Sequence, residues 1–165
     1  MKNLLVEYSF SPGLYDEIRR MELEVYDDFS YKLIFNWYKK YREGDIFDIE
    51  DAKTYRRENI FNDFIPEQIK YTLESLISFS NFELKTFYPE LTESQKKEYT
   101  PLDVRHENYH FHRLGNRYWI NVSPYIFKKE FLKTEQELLF GRFHEEITIW
   151  LDGVYDKLIQ NDGAL

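Results

Sequence analysis

The sequence predicts an α+β domain that is mainly α-helical, with about five helices packed on a small antiparallel sheet. Three features carry that expectation. A long amphipathic run closes the chain, apolar residues recur at three- and four-residue steps through most of what precedes it, and a glycine turn near residue 115 separates two alternating segments.

The C-terminal run, Thr134 to Gln160, is the clearest element. Leu139, Phe143, Ile147, Trp150, Leu151, Val154 and Leu158 fall on one stripe of a helix. Thr134 followed by Glu137 is a capping-box pattern, and Asn161-Asp162-Gly163 supplies the stop. Gly141 and Gly153 interrupt the run; each costs about 1 kcal/mol relative to alanine and would suit close packing by another helix.

From the start of the chain, Asn3 to Phe10 alternates loosely and is rich in β-formers, which predicts a short strand. Ser11-Pro12-Gly13 then opens a predicted helix through Leu14, Ile18, Met21, Val25 and Phe29. Tyr31 to Arg42 continues with Leu33, Ile34, Trp37, Tyr38 and Tyr41, again at helical spacing. A third helix is expected from the acidic stretch at Asp45 to about Phe64, with Ile49, Ala52, Tyr55 and Ile60 only moderately periodic. Pro66 suits the start of a fourth, carried by Ile69, Leu73, Leu76, Ile77, Leu84 and Phe87 as far as Tyr88. Ser123-Pro124 begins a short helix that includes Phe127 and Phe131.

Three of the four histidines, His106, His110 and His112, lie within seven residues. His106-Glu107-Asn108-Tyr109-His110 matches H-E-x-x-H and resembles the zinc-binding helix of the zincin metalloproteases. The resemblance implies a zinc-dependent hydrolase, with His106 and His110 as ligands, Glu107 as general base and Glu145 or Glu146 as a third ligand. Arg105 and His110 also match R-x4-H, the spacing of the all-helical HEPN-type ribonucleases. His144 reads as a boundary residue of the long helix, with a remote catalytic role as the alternative.

The same segment fits a hairpin better. Leu114-Gly115-Asn116-Arg117 signals a two-residue turn centred on Gly115 and Asn116. That register pairs Arg113 with Tyr118, Phe111 with Ile120 and Tyr109 with Val122 on one face. The other face pairs Leu114 with Arg117, His112 with Trp119 and His110 with Asn121. In the hairpin the three histidines share the solvent face and Glu107 turns away from them.

Composition narrows the functional classes. One domain is expected over residues 1–165, large enough for a substantial core. The 14 Tyr, 14 Phe and 3 Trp argue for a packed fold rich in half-polar surface. With no cysteine there is no disulfide framework and no thiolate site, and with no signal segment or spanning run a cytoplasmic protein is expected. The net charge of −8 divides evenly along the chain and no basic stripe interrupts it, which weighs against direct nucleic-acid binding. There is no glycine-rich phosphate loop and no nucleophile elbow.

These limits favour a non-enzymatic binding protein without a cofactor. Its most concrete form is a bacterial immunity or antitoxin-type inhibitor that occupies the basic active site of a nuclease-like toxin. The runner-up is the zinc hydrolase, and a DNA-charge mimic would require carboxylates arrayed along one surface. Asp45, Asp48, Glu50 and Asp51, with Tyr55 as an apolar anchor, are the expected partner-binding residues.

Overall fold

The computed structural model describes residues 2–11, 19–38, 56–79, 93–94, 106–122 and 134–161. A six-stranded antiparallel sheet dominates these residues, and only two helices of any length accompany it. The strands are β1 (Leu4–Ser11), β2 (Arg19–Tyr26), β3 (Ser30–Tyr38), β4 (Arg56–Phe64), β5 (His106–Arg113) and β6 (Asn116–Asn121). The helices are α1 (Glu67–Ile77) and α2 (Glu135–Asn161). Across the sheet the order is β4-β3-β2-β1-β5-β6.

The mainly helical expectation is therefore corrected. Residues 19–26, 30–38 and 56–64, read as parts of three helices, are strands. The cause is a coincidence of periods. A four-residue step keeps a side chain on one side of a helix and also on one side of a strand, because four is twice two. Met21 and Val25 satisfy both templates, whereas Leu23 between them satisfies only the strand. The same holds for Phe35 between Leu33 and Trp37. All six of these side chains are buried, while Glu22 and Glu24 are not. β4 is harder to read because it is an edge strand. Its core-facing positions Arg57, Asn59, Phe61 and Asp63 are mostly polar, as sheet edges often are.

Elsewhere the expectations stand. The strand at Asn3–Phe10 forms one residue later, and the fourth helix is present over Glu67–Ile77; it ends there, with Ser78 as its C-cap, instead of running on to Tyr88, while residues 80–88 and the short helix after Ser123 lie outside the described residues. The capping box on α2 is made in both directions. Glu137 N donates to Thr134 Oγ1 at 3.1 Å, and Thr134 N donates to Glu137 Oε2 at 3.4 Å.

Register builds the core in rows. Phe61, Leu33, Leu23, Tyr8, Tyr109 and Ile120 are successive cross-strand neighbours over the full width of the sheet. Both helices cover this face. Phe140, Phe143, Ile147, Leu151 and Tyr155 of α2 are buried with Ile69, Leu73 and Leu76 of α1 in the same cluster. Tyr155 stacks on Phe35 with 6.0 Å between ring centroids, and Trp150 meets Tyr31 edge-on at 4.9 Å. Between the helices, Thr72 Oγ1 donates to the Glu146 carboxylate at 2.9 Å, and Arg142 Nε donates to it at 3.0 Å. No helix among the described residues is long and apolar enough to cross a membrane.

Two turns place bulky residues in the left-handed region. The β2–β3 connection puts Phe29 at φ 63, after an i→i+3 bond from Phe29 N to Tyr26 O. Asp28 holds this turn, accepting from Ser30 N at 3.0 Å and pairing with Lys2 Nζ at 3.1 Å. Those contacts, above all the bonds from Ser30, lower its carboxyl pKa to about 2. The β5–β6 hairpin turns on Leu114 (φ 51) and Gly115 (φ 77). Two positive φ values match a type I′ turn, one residue earlier than the expected Gly115-Asn116 loop. The observed pairs are Arg113 with Asn116, Phe111 with Tyr118 and Tyr109 with Ile120. Each partner has moved by two residues, so every side chain keeps its predicted face.

Three substitutions test these elements. Gly115→Val is expected to lower stability by more than about 1 kcal/mol, since a β-branched residue resists positive φ although nothing lies near the added Cβ. Leu114→Asn at the neighbouring position should raise stability by about 0.5–1 kcal/mol, because Leu114 is 86% exposed and gains nothing by packing there. Urea unfolding measures both; a neutral result for each would contradict the turn. In α2, Gly153 is exposed and an added Cβ meets nothing within 4 Å, so it marks no close helix contact. Gly153→Ala should therefore add about 0.5–1 kcal/mol in the same assay.

Candidate functional site

Alternation along β5 divides the histidine segment between the two faces of the sheet. Glu107, Tyr109 and Phe111 point under α2, while His110 and His112 point to the opposite face, which is helix-free among the described residues. This strand overturns the H-E-x-x-H reading. Residues four apart in a strand lie roughly 13 Å apart, too far to share one metal ion as they would on a helix. Glu107 lies on the far side of the sheet from His110. Glu146 faces Thr72 of α1, and Glu145 is exposed on α2. Among the described residues no group of three or more His, Asp or Glu side chains is placed to hold a metal ion. The R-x4-H alternative loses its all-helical setting to the same sheet, and Arg105 lies outside the described residues.

Under α2, the core-facing residues form a buried polar chain. Tyr8 Oη donates to Glu107 Oε1 at 2.7 Å, and Tyr109 Oη lies 2.7 Å from His144 Nδ1. His144 Nε2 sits 3.7 Å from Glu107 Oε2. These contacts select the tautomer. With the Tyr109 hydroxyl donating to Nδ1, the imidazole proton sits on Nε2 and faces the carboxylate; the other tautomer would turn a lone pair toward it. Burial drives the His144 pKa down to about 3, so the ring is neutral at physiological pH. Burial, with the negative charge of Glu107 second, raises both Tyr8 and Tyr109 well above the usual phenol range. Protonated phenols, a neutral imidazole and a carboxylate that accepts from Tyr8 thus bond one another beneath α2. The arrangement bonds β1, β5 and α2 together, and it corrects the boundary reading of His144, which is only 6% exposed.

The helix-free face carries a different chemistry. One row across it runs Asn62, Lys32, Glu24, Glu7, His110 and Trp119; the next runs Ile60, Ile34, Glu22, Ser9, Asn108 and Asn121. Glu7 and Glu24 stand directly opposite each other on β1 and β2, a like-charge pair that destabilises an antiparallel sheet. Each is partly compensated. His112 Nε2 lies 2.8 Å from Glu7 Oε2, and Arg117 Nη2 lies 3.6 Å from the same oxygen. Tyr26 Oη donates to Glu24 Oε2 at 2.5 Å, which pushes the phenol pKa up to about 12. Glu7, Ser9, Glu22, Glu24, His110 and Arg117 line a shallow concavity of about 310 Å³. Exposed Trp119 flanks it beyond His110, and exposed Ile60 lies farther across the sheet in the row of Glu22.

The structure therefore brings together residues that sequence reasoning left apart. Glu7, Glu22 and Glu24 come from strands, one of which had been read as a helix, and only their alternation with Tyr8 and Leu23 marks them as one surface. The expected partner-binding residues Asp45, Asp48, Glu50, Asp51 and Tyr55 lie outside the described residues. Comparison with protein-family models and with curated proteins finds no match for this chain.

The His144 geometry has a consequence for acid stability. An imidazole neutral when folded must charge on unfolding below pH 6.5, so its contribution is complete above about pH 6.5 and is lost as pH falls toward 3. Between pH 6.5 and 5 this amounts to about 1–2 kcal/mol. His144→Gln should be less stable than the parent at neutral pH yet lose less on acidification. Urea midpoints at the two pH values measure this, and parallel losses in both proteins would refute a neutral buried ring.

Proposed function

We propose that this protein is a non-enzymatic binding protein of the immunity or antitoxin type, which captures a basic, nuclease-like toxin domain and blocks it. The observation that carries the reading is the carboxylate-lined concavity on the helix-free face, where Glu7 opposes Glu24 and Glu22 stands alongside. A guanidinium or ammonium group entering there relieves a repulsion that the isolated sheet tolerates. Net charge of −8 adds long-range attraction for a cationic target. Trp119, about half exposed at the rim, offers the aromatic anchor that such interfaces favour. The buried chain of Tyr8, Glu107, Tyr109 and His144 supports the non-enzymatic side of the reading, since its groups bond one another beneath α2.

The test is association kinetics with the product of the neighbouring gene, expected to be a basic toxin domain, at about 20 and about 200 mM salt. Replacing Glu7, Glu22 and Glu24 together by Gln is expected to slow association roughly tenfold at low salt and much less at high salt. A triple variant that associates as fast as the parent at low salt, or a neighbouring product that is neither basic nor toxic, would sink the proposal.

A further inference from the structure

We infer that the concavity is switched by pH: protonation of His110 and His112 on β5 closes it to a cationic partner that it accepts when both rings are neutral. This rests on the reading that the concavity takes a basic partner. His112 touches Glu7 directly at 2.8 Å, and His110 is the cross-strand neighbour of Glu7 on the side away from Glu24. Both imidazoles thus border the carboxylates that would receive the cation.

The charge count decides the direction. Lining the concavity with His110 are Glu7 from β1, Glu22 and Glu24 from β2 and Arg117 from β6, while Lys32 of β3 lies beyond Glu24, three strands away from His110. Three carboxylates against one fixed cation leave the lining at −2 with neutral imidazoles. Two protons bring it to zero, so the attraction for a cation is cancelled. Arg20 and Glu58 lie one row beyond Glu22, on either side of Asn36. His110 is poised for this, since burial and then Arg117 hold its pKa below the usual histidine value, leaving the ring neutral at physiological pH. Among the described residues its buried Nδ1 has no hydrogen-bond partner, so no acceptor there holds a proton.

The experiment uses a fluorescein-labelled hexa-arginine peptide as the probe, with binding read by anisotropy at low salt, at about pH 8 and about pH 5. The parent should lose roughly five- to tenfold in affinity on acidification, as expected for two added unit charges screened largely by water. His110→Gln/His112→Gln should lose less than about twofold, the other histidines being common to both proteins. Glu22→Gln should weaken binding at pH 8 and so locate the probe in the concavity. A double variant that loses as much affinity as the parent overturns the switch while leaving the binding site intact. A probe indifferent to Glu22→Gln at pH 8 overturns the site and the switch together. NMR titration of the parent's histidine ring protons gives a second reading that needs no variant. By reciprocity, saturating peptide must move the His110 and His112 midpoints to lower pH, and unmoved midpoints refute the inference.

Discussion

Burial of Tyr109 constrains the rest of the molecule. Its ring is without solvent exposure and meets Tyr8 at 4.8 Å, Phe140 at 5.3 Å and Phe143 at 5.7 Å. A phenol that deep leaves its hydroxyl with no water, and an unpaired one costs about 1–3 kcal/mol. His144 resolves this, but only if α2 lies over β5 in one axial position. His144 in turn needs a group toward Nε2, and Glu107 stands there, already accepting from Tyr8. One hydroxyl thus sets the placement of the long helix and the tautomer of an imidazole, and through Glu107 it is tied to the adjacency of β1 and β5, strands about one hundred residues apart in the chain.

The two faces of the sheet follow opposite rules. Toward the helices, the polar groups of the Tyr8–His144 chain answer one another and the surrounding side chains are apolar, which yields cohesion. On the other face, Glu7 and Glu24 confront each other across a ladder, with compensation drawn from Arg117, His112 and Tyr26 at the periphery. A surface that tolerates such a juxtaposition gives up stability there, and the large aromatic and hydrogen-bonded core opposite makes that tolerable.

How much of this was legible in the sequence depended on which period a segment obeyed without ambiguity. α2 was readable because Phe143, Ile147, Trp150 and Leu151 include three-residue steps that no strand accommodates. The hairpin was readable from Gly115 and from alternation on both sides of it. Its turn was misplaced by one residue because nothing local marks Leu114, rather than Asn116, as the second residue to accept positive φ. The strands β2 and β3 were misread because Met21–Val25 and Leu33–Trp37 are four-residue steps that serve helix and strand alike, and the deciding residues, Leu23 and Phe35, were passed over.

By itself the sequence determined the amphipathic α2 with its capping box, the start of α1 after Pro66, the division of β5 into an apolar and a histidine face, and the acidic balance. All are local or additive properties, set by spacing and composition within a few turns of chain. Only the tertiary structure decided that β1 to β4 form one meander, that β5 joins it beside β1, and that Glu7, Glu22, Glu24, His110 and Arg117 meet. Those outcomes depend on pairings between segments tens of residues apart, where hydrogen bonding is available to any extended strand. The choice among partners is made by the core row from Phe61 to Ile120, which buries its side chains only when all six strands are in register.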